Sequence, residues 1–314
     1  MLNIVVLETA PYKKEDFIFL QKFGNVKIYD KTSSDEIIKR ISGVDVVIVN
    51  KSILSEEHFK VAPKLRYIGV MSTGVNSIDL IAARKYNITV TNVPAYGTDA
   101  VAQHTFALIL HIINKISLNV SSVKNDSWAI SKEWCLISNH WNQLSNMTIG
   151  IIGFGNIGKK VSSIAKVFGM KVLVYSRSKY NDESVCFVSL NELLKNSDIV
   201  SLHCPLTKET KNIIGSKELS LMKKSSILIN VSRGNLIDEK VLYDKLSTNE
   251  IKAAGLDVLA QEPPSIKNDL NKLDNCYITP HIAWTSIEAM NKILDVIKDN
   301  IESFLASRTQ NVVN

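Results

Sequence analysis

Four cysteines in 314 residues, Cys135, Cys186, Cys204 and Cys276, stand far apart in the chain. Their spacing excludes a C-x-x-C redox pair, and no His/Cys cluster has the spacing of metal ligands. The sequence therefore predicts a reduced, cytoplasmic protein with no metal site. Long apolar runs are also missing. The longest apolar stretch, Ala100 to Ile113, is interrupted by Gln103, His104 and His111, short of the roughly 18 uninterrupted apolar residues of a membrane helix. At the N-terminus, M-L-N-I-V-V-L reaches Glu8 and Pro11 too soon for a secretory segment, so a buried first strand is expected and no membrane association. The formal net charge of +6 is spread through the chain without a block of five or six like charges, which leaves no nucleic-acid-binding tail. No internal repeat or low-complexity tract is evident.

With 45% hydrophobic and 22% charged residues, the chain is long enough for two medium domains. Short β-branched runs alternate with helical patterns: I-V-V-L (Ile4 to Leu7), V-D-V-V-I-V (Val44 to Val49), L-R-Y-I-G-V (Leu65 to Val70) and I-T-V-T (Ile88 to Thr91). That rhythm predicts a parallel α/β sheet. After Pro94 an apolar-faced helix follows (Val101, Thr105, Leu108, Ile109, Ile112), then a Ser/Asn/Trp-rich segment from Asn114 to Asn146. Six further strand-like runs begin at Ile149, Lys171, Asp198, Ser226, Ala253 and Cys276, which predicts one Rossmann-type sheet. Ser286 to Leu305 has helical periodicity with no strand after it, placing domain boundaries near Tyr96 and Ala283.

In T-I-G-I-I-G-F-G-N-I-G (Thr148 to Gly158) a strand runs into G-x-G-x-x-G and then a helical pattern. Gly153 permits the tight turn, Gly155 lets the backbone approach a pyrophosphate, and Gly158 lets helix pack on strand, while Asn156 and Ile157 open the helix whose amides face the phosphates. The second strand of such a fold normally ends in an acidic residue for the adenosine ribose. Here Ser176 stands there, followed by Arg177, Ser178 and Lys179. A hydroxyl beside a guanidinium suits a 2′-phosphate, which predicts NAD(P) binding with NADPH preferred or accepted. The alternative is that Arg177 stacks near the adenine of an NAD site.

Downstream stand Arg233 in N-V-S-R-G-N, Glu262 in L-A-Q-E-P-P and His281 in T-P-H-I-A-W, each beside turn-forming residues after an apolar run. Taken singly they read as a surface arginine, a turn glutamate and a packed histidine. Together, behind a glycine loop, they suggest hydride transfer to or from a small hydroxy or keto acid. Such a reduction needs a hydride at C2, a proton for the developing alkoxide and a cation for the carboxylate. Arg233 offers a permanently charged planar fork, and His281 a side chain suited to proton transfer near neutral pH.

The segments A-Y-G-T-D-A-V-A-Q (from Ala95), G-I-I-G-F-G-N-I-G (from Gly150), S-L-H-C-P-L-T (from Ser201), I-N-V-S-R-G-N-L-I-D (from Ile229), G-L-D-V-L-A-Q-E-P-P (from Gly255) and T-P-H-I-A-W (from Thr279) resemble, in this order, the D-isomer-specific 2-hydroxyacid dehydrogenase family. Among its branches they look most like glycerate dehydrogenase (hydroxypyruvate reductase). The resemblance implies an α/β protein of two Rossmann-like domains, a doubly wound dinucleotide-binding domain (97–283) inserted into a flavodoxin-like substrate domain (1–96 and 284–314). It implies that Glu262 touches the His281 imidazole, favours its charged form and fixes its orientation. It further implies that Asp257 contacts the nicotinamide carboxamide, that His203, Pro205 and Val231 line the nucleotide pocket, and that the backbone amides of Thr73, Gly74 and Val75 meet the substrate carboxylate. Asp257 equally suits a turn cap, and Gly74 a simple turn.

Lys51 is expected to add positive charge near the substrate or to be solvated surface. Trp284 is expected to wall the pocket or to belong to the core. His58, His104, His111 and His140 have no motif context and are read as structural or surface residues. The segment from Asn114 to Asn146 corresponds to the family's dimerisation arm, with Trp128, Trp134 and Trp141 as anchors, so a homodimer is expected. The expected reaction is reduction of hydroxypyruvate or glyoxylate. The alternatives are another 2-keto acid (phosphoglycerate, lactate or bulkier acids) or a nucleotide-sensing corepressor-like scaffold. No regulatory domain is expected after Asn314, so the long phosphoglycerate dehydrogenases are expected to fit less well.

Overall fold

The computed structural model describes residues 1–137, 140–178 and 182–314, so Lys179 lies outside the described residues. The chain divides into two units, Met1–Tyr96 with Ser286–Asn314, and Gly97–Thr285.

The first unit holds a parallel sheet of β1 (Leu2–Val6), β2 (Gly24–Ile28), β3 (Val46–Val49), β4 (Tyr67–Val70) and β5 (Thr89–Thr91) in the order β2-β1-β3-β4-β5. The sequence pattern predicts four strands here, and the structure has a fifth, β2. Its residues alternate between half-buried and exposed at the sheet edge, so G-N-V-K-I lacks the continuous β-branched run of the inner strands β3 and β4, every residue of which is buried. The Ile287–Leu305 helix begins at a Ser286 cap, whose Oγ accepts from the Ala289 N–H at 3.1 Å, a cap that contributes about 1 kcal/mol. It buries Ile293, Ile297, Asn300 and Ile301, and Phe304 packs its ring 4.8 Å from that of Tyr67 in β4.

The second unit holds a parallel sheet of β6 (Thr148–Ile152), β7 (Lys171–Tyr175), β8 (Cys186–Phe187), β9 (Ile199–Leu202), β10 (Ile227–Asn230), β11 (Ala253–Leu256) and β12 (Cys276–Ile278) in the order β12-β11-β10-β9-β6-β7-β8. Six strands are predicted and seven form. The extra one, β8, is two exposed residues on the edge, too short to carry any periodicity. The inner strands alternate between two cores. Ile149, Ile151, Ile199, Ile227 and Ile229 join Phe106, Leu108, Ile109 and Ile112 of the Thr98–Asn114 helix, while Ile152, Val200, Leu202 and Leu228 face the opposite cluster. Both sheets are doubly wound α/β sheets. Among the described residues no single helix is long and apolar enough to cross a membrane, and none form a metal-holding group of His, Cys, Asp and Glu.

In a sheet of this kind ligands meet the carboxyl ends of the strands, at the point where the strand order reverses. That point lies between β1 and β3 in the first unit and between β6 and β9 in the second.

Candidate active site

The turn after β6 is built from glycines under geometric compulsion. Gly153 has φ +97°, and a Cβ there would also stand 2.6 Å from the Cys204 nitrogen. A Cβ at Gly158 would stand 2.2 Å from the Gly153 carbonyl oxygen, so only glycine lets the Asn156–Val167 helix start this close to the strand. By contrast, a Cβ on Gly155 would meet nothing within 4 Å. Gly155 caps the helix, and Asn156 beside it is exposed. The result is a helix N-terminus with open space in front of it, the arrangement that receives a pyrophosphate. The cradle fits a dinucleotide.

The other residues expected at the nucleotide follow neighbouring strands of the same sheet. Ser176 follows β7 and is half-buried, and Arg177 is exposed. Glu209 lies close enough to feel Arg177: its carboxyl is held below the usual range first by a hydrogen bond from Thr207, then by its own backbone N–H and by the Arg177 charge. His203 follows β9 and is buried, its Nε2 2.8 Å from Ser201 Oγ, and its Nδ1 has no partner. Burial pushes its pKa down to about 3, so the imidazole is neutral near pH 7 and cannot act as a proton donor there. Pro205 is exposed and Val231 buried, after β9 and β10 respectively.

Arg233, Glu262 and His281 follow β10, β11 and β12, three adjacent strands. Arg233 is exposed, with Nη1 donating to its neighbour's Ser232 carbonyl at 2.7 Å. Asn230 Nδ2 holds the Arg233 carbonyl at 2.9 Å, and Asn230 Oδ1 accepts from the Ser232 N–H. Gly234 then lies so close to the next loop that a Cβ would stand 1.9 Å from the Leu259 carbonyl carbon. Through that approach the Arg233 loop is fitted against the loop that carries Glu262. Glu262 Oε1 accepts from the Leu259 N–H at 3.0 Å, and its Oε2 lies 2.6 Å from His281 Nδ1. Because Glu262 engages Nδ1, Nε2 is the nitrogen left for proton exchange. Glu239 adds a second carboxyl, accepting from the Ala260 N–H at 2.5 Å; burial, and to a smaller extent Glu262, raise its pKa.

His281 itself has φ +56°, a left-handed conformation that is unfavourable for a side chain of this size. Asp257, only 1% exposed, sits behind it. Its Oδ1 accepts from Thr279 Oγ1 at 2.6 Å and from the Ile282 N–H at 2.9 Å, and its Oδ2 from the Ala283 N–H at 2.8 Å. His104, on the Thr98–Asn114 helix, places Nε2 3.0 Å from Thr279 Oγ1 and 3.5 Å from Asp257 Oδ1. His104, expected from the sequence to be a structural or surface residue, belongs to this network. Its signal was positional: three residues after Val101 and four before Leu108, it is a polar side chain on the margin of an apolar stripe.

Trp284 is half-buried and packs against the core of the second unit. In the first unit Thr73 is exposed, its Oγ1 donating to the Val93 carbonyl at 2.7 Å, and Asn92 Nδ2 holds its carbonyl. Among the described residues the backbone N–H groups of Thr73, Gly74 and Val75 make no hydrogen bond. Gly74 is not among the residues of positive φ. Lys51 is exposed and its N–H donates to Glu8 at 2.5 Å.

Residues 106–283 match the family model described as D-isomer specific 2-hydroxyacid dehydrogenase, NAD binding domain. The chain is 38% identical over 321 aligned residues to a hydroxypyruvate reductase of Blautia hydrogenotrophica, covering 100% of both chains. Among solved structures, an acyclic imino acid reductase in complex with NADPH and D-Arg has a TM-score of 0.89 at 34% identity over 100% of both chains. D-lactate dehydrogenase from Aquifex aeolicus, complexed with NAD and lactic acid, has a TM-score of 0.86 at 32% identity, covering 98% of this chain and 96% of that one. The chain belongs to the D-isomer-specific 2-hydroxyacid dehydrogenase family. It is an oxidoreductase with a nicotinamide cofactor.

Proposed function

We propose that this enzyme reduces hydroxypyruvate, and glyoxylate beside it, to D-glycerate and glycolate. The observation that carries the reading is the 2.6 Å pair between Glu262 and His281 Nδ1, one strand away from Arg233. Its full-length likeness to a hydroxypyruvate reductase supports the choice of substrate. In this reading residues 97–285 bind the dinucleotide, through the Gly153–Gly158 loop, Ser176, Arg177, His203, Pro205, Val231 and Asp257. The rest of the chain carries the substrate loops, with Lys51 and the amides of Thr73, Gly74 and Val75 as ligands of the substrate carboxylate.

A reduced nicotinamide cofactor, held by the Gly153–Gly158 loop, would supply the hydride that C2 takes up. Arg233 binds the substrate carboxylate and polarises the keto oxygen. As negative charge grows on that oxygen, His281 Nε2 delivers a proton to it, and Glu262 remains on Nδ1–H, so the ring keeps its orientation throughout. In the oxidative direction the neutral ring takes the proton back.

NADPH is the proposed reductant, because no carboxylate stands at Ser176 and Arg177 is exposed beside it. The chain is proposed to form a homodimer. Leu118, Val123, Trp128, Ile130, Trp134 and Trp141 are all exposed in the single chain, a concentration of apolar surface that a second copy would cover. Light scattering should give twice the chain mass at micromolar concentration; a monomer would remove this element.

The test is the initial rate of reduced-cofactor consumption with hydroxypyruvate, glyoxylate, pyruvate and phenylpyruvate, each with NADH and NADPH. Hydroxypyruvate is expected to give the highest kcat/KM. Preference for phenylpyruvate would transfer the proposal to bulkier acids, and negligible turnover of all four with cofactor still bound would favour a nucleotide-sensing scaffold.

A further inference from the structure

His281 occupies a left-handed conformation, φ +56°, which its surroundings must hold in place. Its N–H is shared between the Thr279 and Asp257 carbonyls, each at 2.9 Å. Asp257 takes three consecutive backbone N–H groups: that of His281 on its carbonyl at 2.9 Å, and those of Ile282 and Ala283 on its two carboxylate oxygens. A carboxylate that is 1% exposed depends on such donors, since an uncompensated buried charge is strongly unfavourable. Thr279 Oγ1 donates its single proton to Asp257 Oδ1. Its oxygen is therefore an acceptor toward His104 Nε2, 3.0 Å away, which requires that His104 carry its proton on Nε2. The chain of donors runs His104 Nε2–H to Thr279 Oγ1–H to Asp257 Oδ1, and from Asp257 to the turn that presents His281.

We propose that His104 is a positioning residue for the reaction: acting through Thr279 and Asp257, it fixes the left-handed turn that aims His281 at the substrate. The proposal rests on the reading of His281 as the proton-transfer group. His104 lies at the side of the Thr98–Asn114 helix, and its contribution is to orientation; it neither exchanges a proton with substrate nor binds it. Loss of the donor leaves Asp257 with its backbone ligands but removes one of the two hydrogen bonds that hold the Thr279 hydroxyl, so the imidazole is less often in the productive orientation. Misplacement of a reacting group by a fraction of an ångström lowers kcat far more than it lowers binding.

His104→Phe keeps a ring of similar size and removes the donor, His104→Gln restores an N–H donor, and Thr279→Val removes the hydroxyl at constant shape. In His104→Phe, kcat with hydroxypyruvate should fall roughly 10- to 100-fold. The KM, and the reduced-cofactor Kd read by fluorescence, should change less than about threefold, because His104 itself binds neither ligand and the Asp257 carboxylate keeps its two backbone donors. His104→Gln should recover most of the rate. Thr279→Val should lose as much as His104→Phe, and the double variant no more than either, because residues acting in one chain are not additive. Wild-type kcat in His104→Phe, or additive losses in the double variant, would overturn the proposal. So would parallel losses of kcat, cofactor affinity and melting temperature that glutamine does not recover. If His104→Phe does not fold, Thr279→Val and His104→Gln decide by the same kcat-against-KM comparison. Failure of the underlying reading looks different: His281→Ala would then keep its rate whatever His104 does.

Discussion

At the switch point of the seven-stranded sheet, the turn after β6 leaves its helix N-terminus facing open space, with nothing within 4 Å of a Cβ on Gly155. At the switch point of the five-stranded sheet the amides gathered after β3, on the other side of the reversal, are already occupied. The N–H groups of Asn50, Lys51 and Ser52, directly after β3, converge on Glu8 Oε1 at 2.7, 2.5 and 3.0 Å, and Ser52 Oγ donates to Oε2 at 2.6 Å. The two sheets share an architecture and both gather backbone donors where their strand order reverses. One leaves them for an anion from outside; the other satisfies them with a carboxylate of its own, 8% exposed after β1. Backbone donors must find acceptors in either case. Among the described residues the N–H groups of residues 73–75, one strand further on, make no hydrogen bond, and the substrate loop is proposed there.

The most severe break of this comparison is to close the open site. Gly155→Val should weaken reduced-cofactor binding roughly a thousandfold, the equivalent of two charge-assisted hydrogen bonds, and leave the melting temperature of the cofactor-free protein unchanged. Equal loss of stability would mean that Gly155 is needed for the fold and not for the ligand. The converse is to empty the filled site. Glu8→Ala orphans three backbone amides, one buried and two partly buried, and should cost about 2–3 kcal/mol in urea unfolding, and formate at high concentration, binding in place of the lost carboxylate, should recover part of it. No recovery would mean that the cluster of amides collapses without its glutamate.

A pH-dependent effect distinguishes the interiors. His203, beneath the open turn, has its pKa lowered from 6.5 to about 3 by burial. The unfolded state therefore binds the proton more readily, so the stabilisation is complete above about pH 6.5 and is lost as pH falls toward 3. Unfolding of the second unit should weaken by about 1.4 kcal/mol per pH unit in that window, and His203→Phe should flatten the slope. The smallest expected change is cofactor choice: Arg177→Ala should raise the KM for NADPH about tenfold and leave that for NADH within twofold. Equal weakening of both would assign Arg177 to the adenine.

Much of this organisation is legible in the sequence because it is local. The glycine loop reads as a motif since Gly153, Gly155 and Gly158 stand within six residues of one another. The inner strands read as apolar runs because both faces of a parallel sheet are buried. Edge strands β2 and β8 escaped because half-exposed or two-residue strands have no such pattern. Glu8 and His104 were illegible for a different reason. Glu8 registers only as the charge that ends an apolar run, and its partners are more than forty residues away. His104 meets Thr279 across 175 residues, so only the folded chain brings them together.

The central claim is that His281, held by Glu262, passes the proton that accompanies hydride transfer. Its most direct test is a single-turnover measurement with hydroxypyruvate on His281→Ala, with the cofactor Kd measured in parallel. A proton-transfer role predicts a rate loss of roughly 10²- to 10⁴-fold with cofactor affinity within about threefold of wild type. A variant that binds cofactor normally and turns over at the wild-type rate would contradict it.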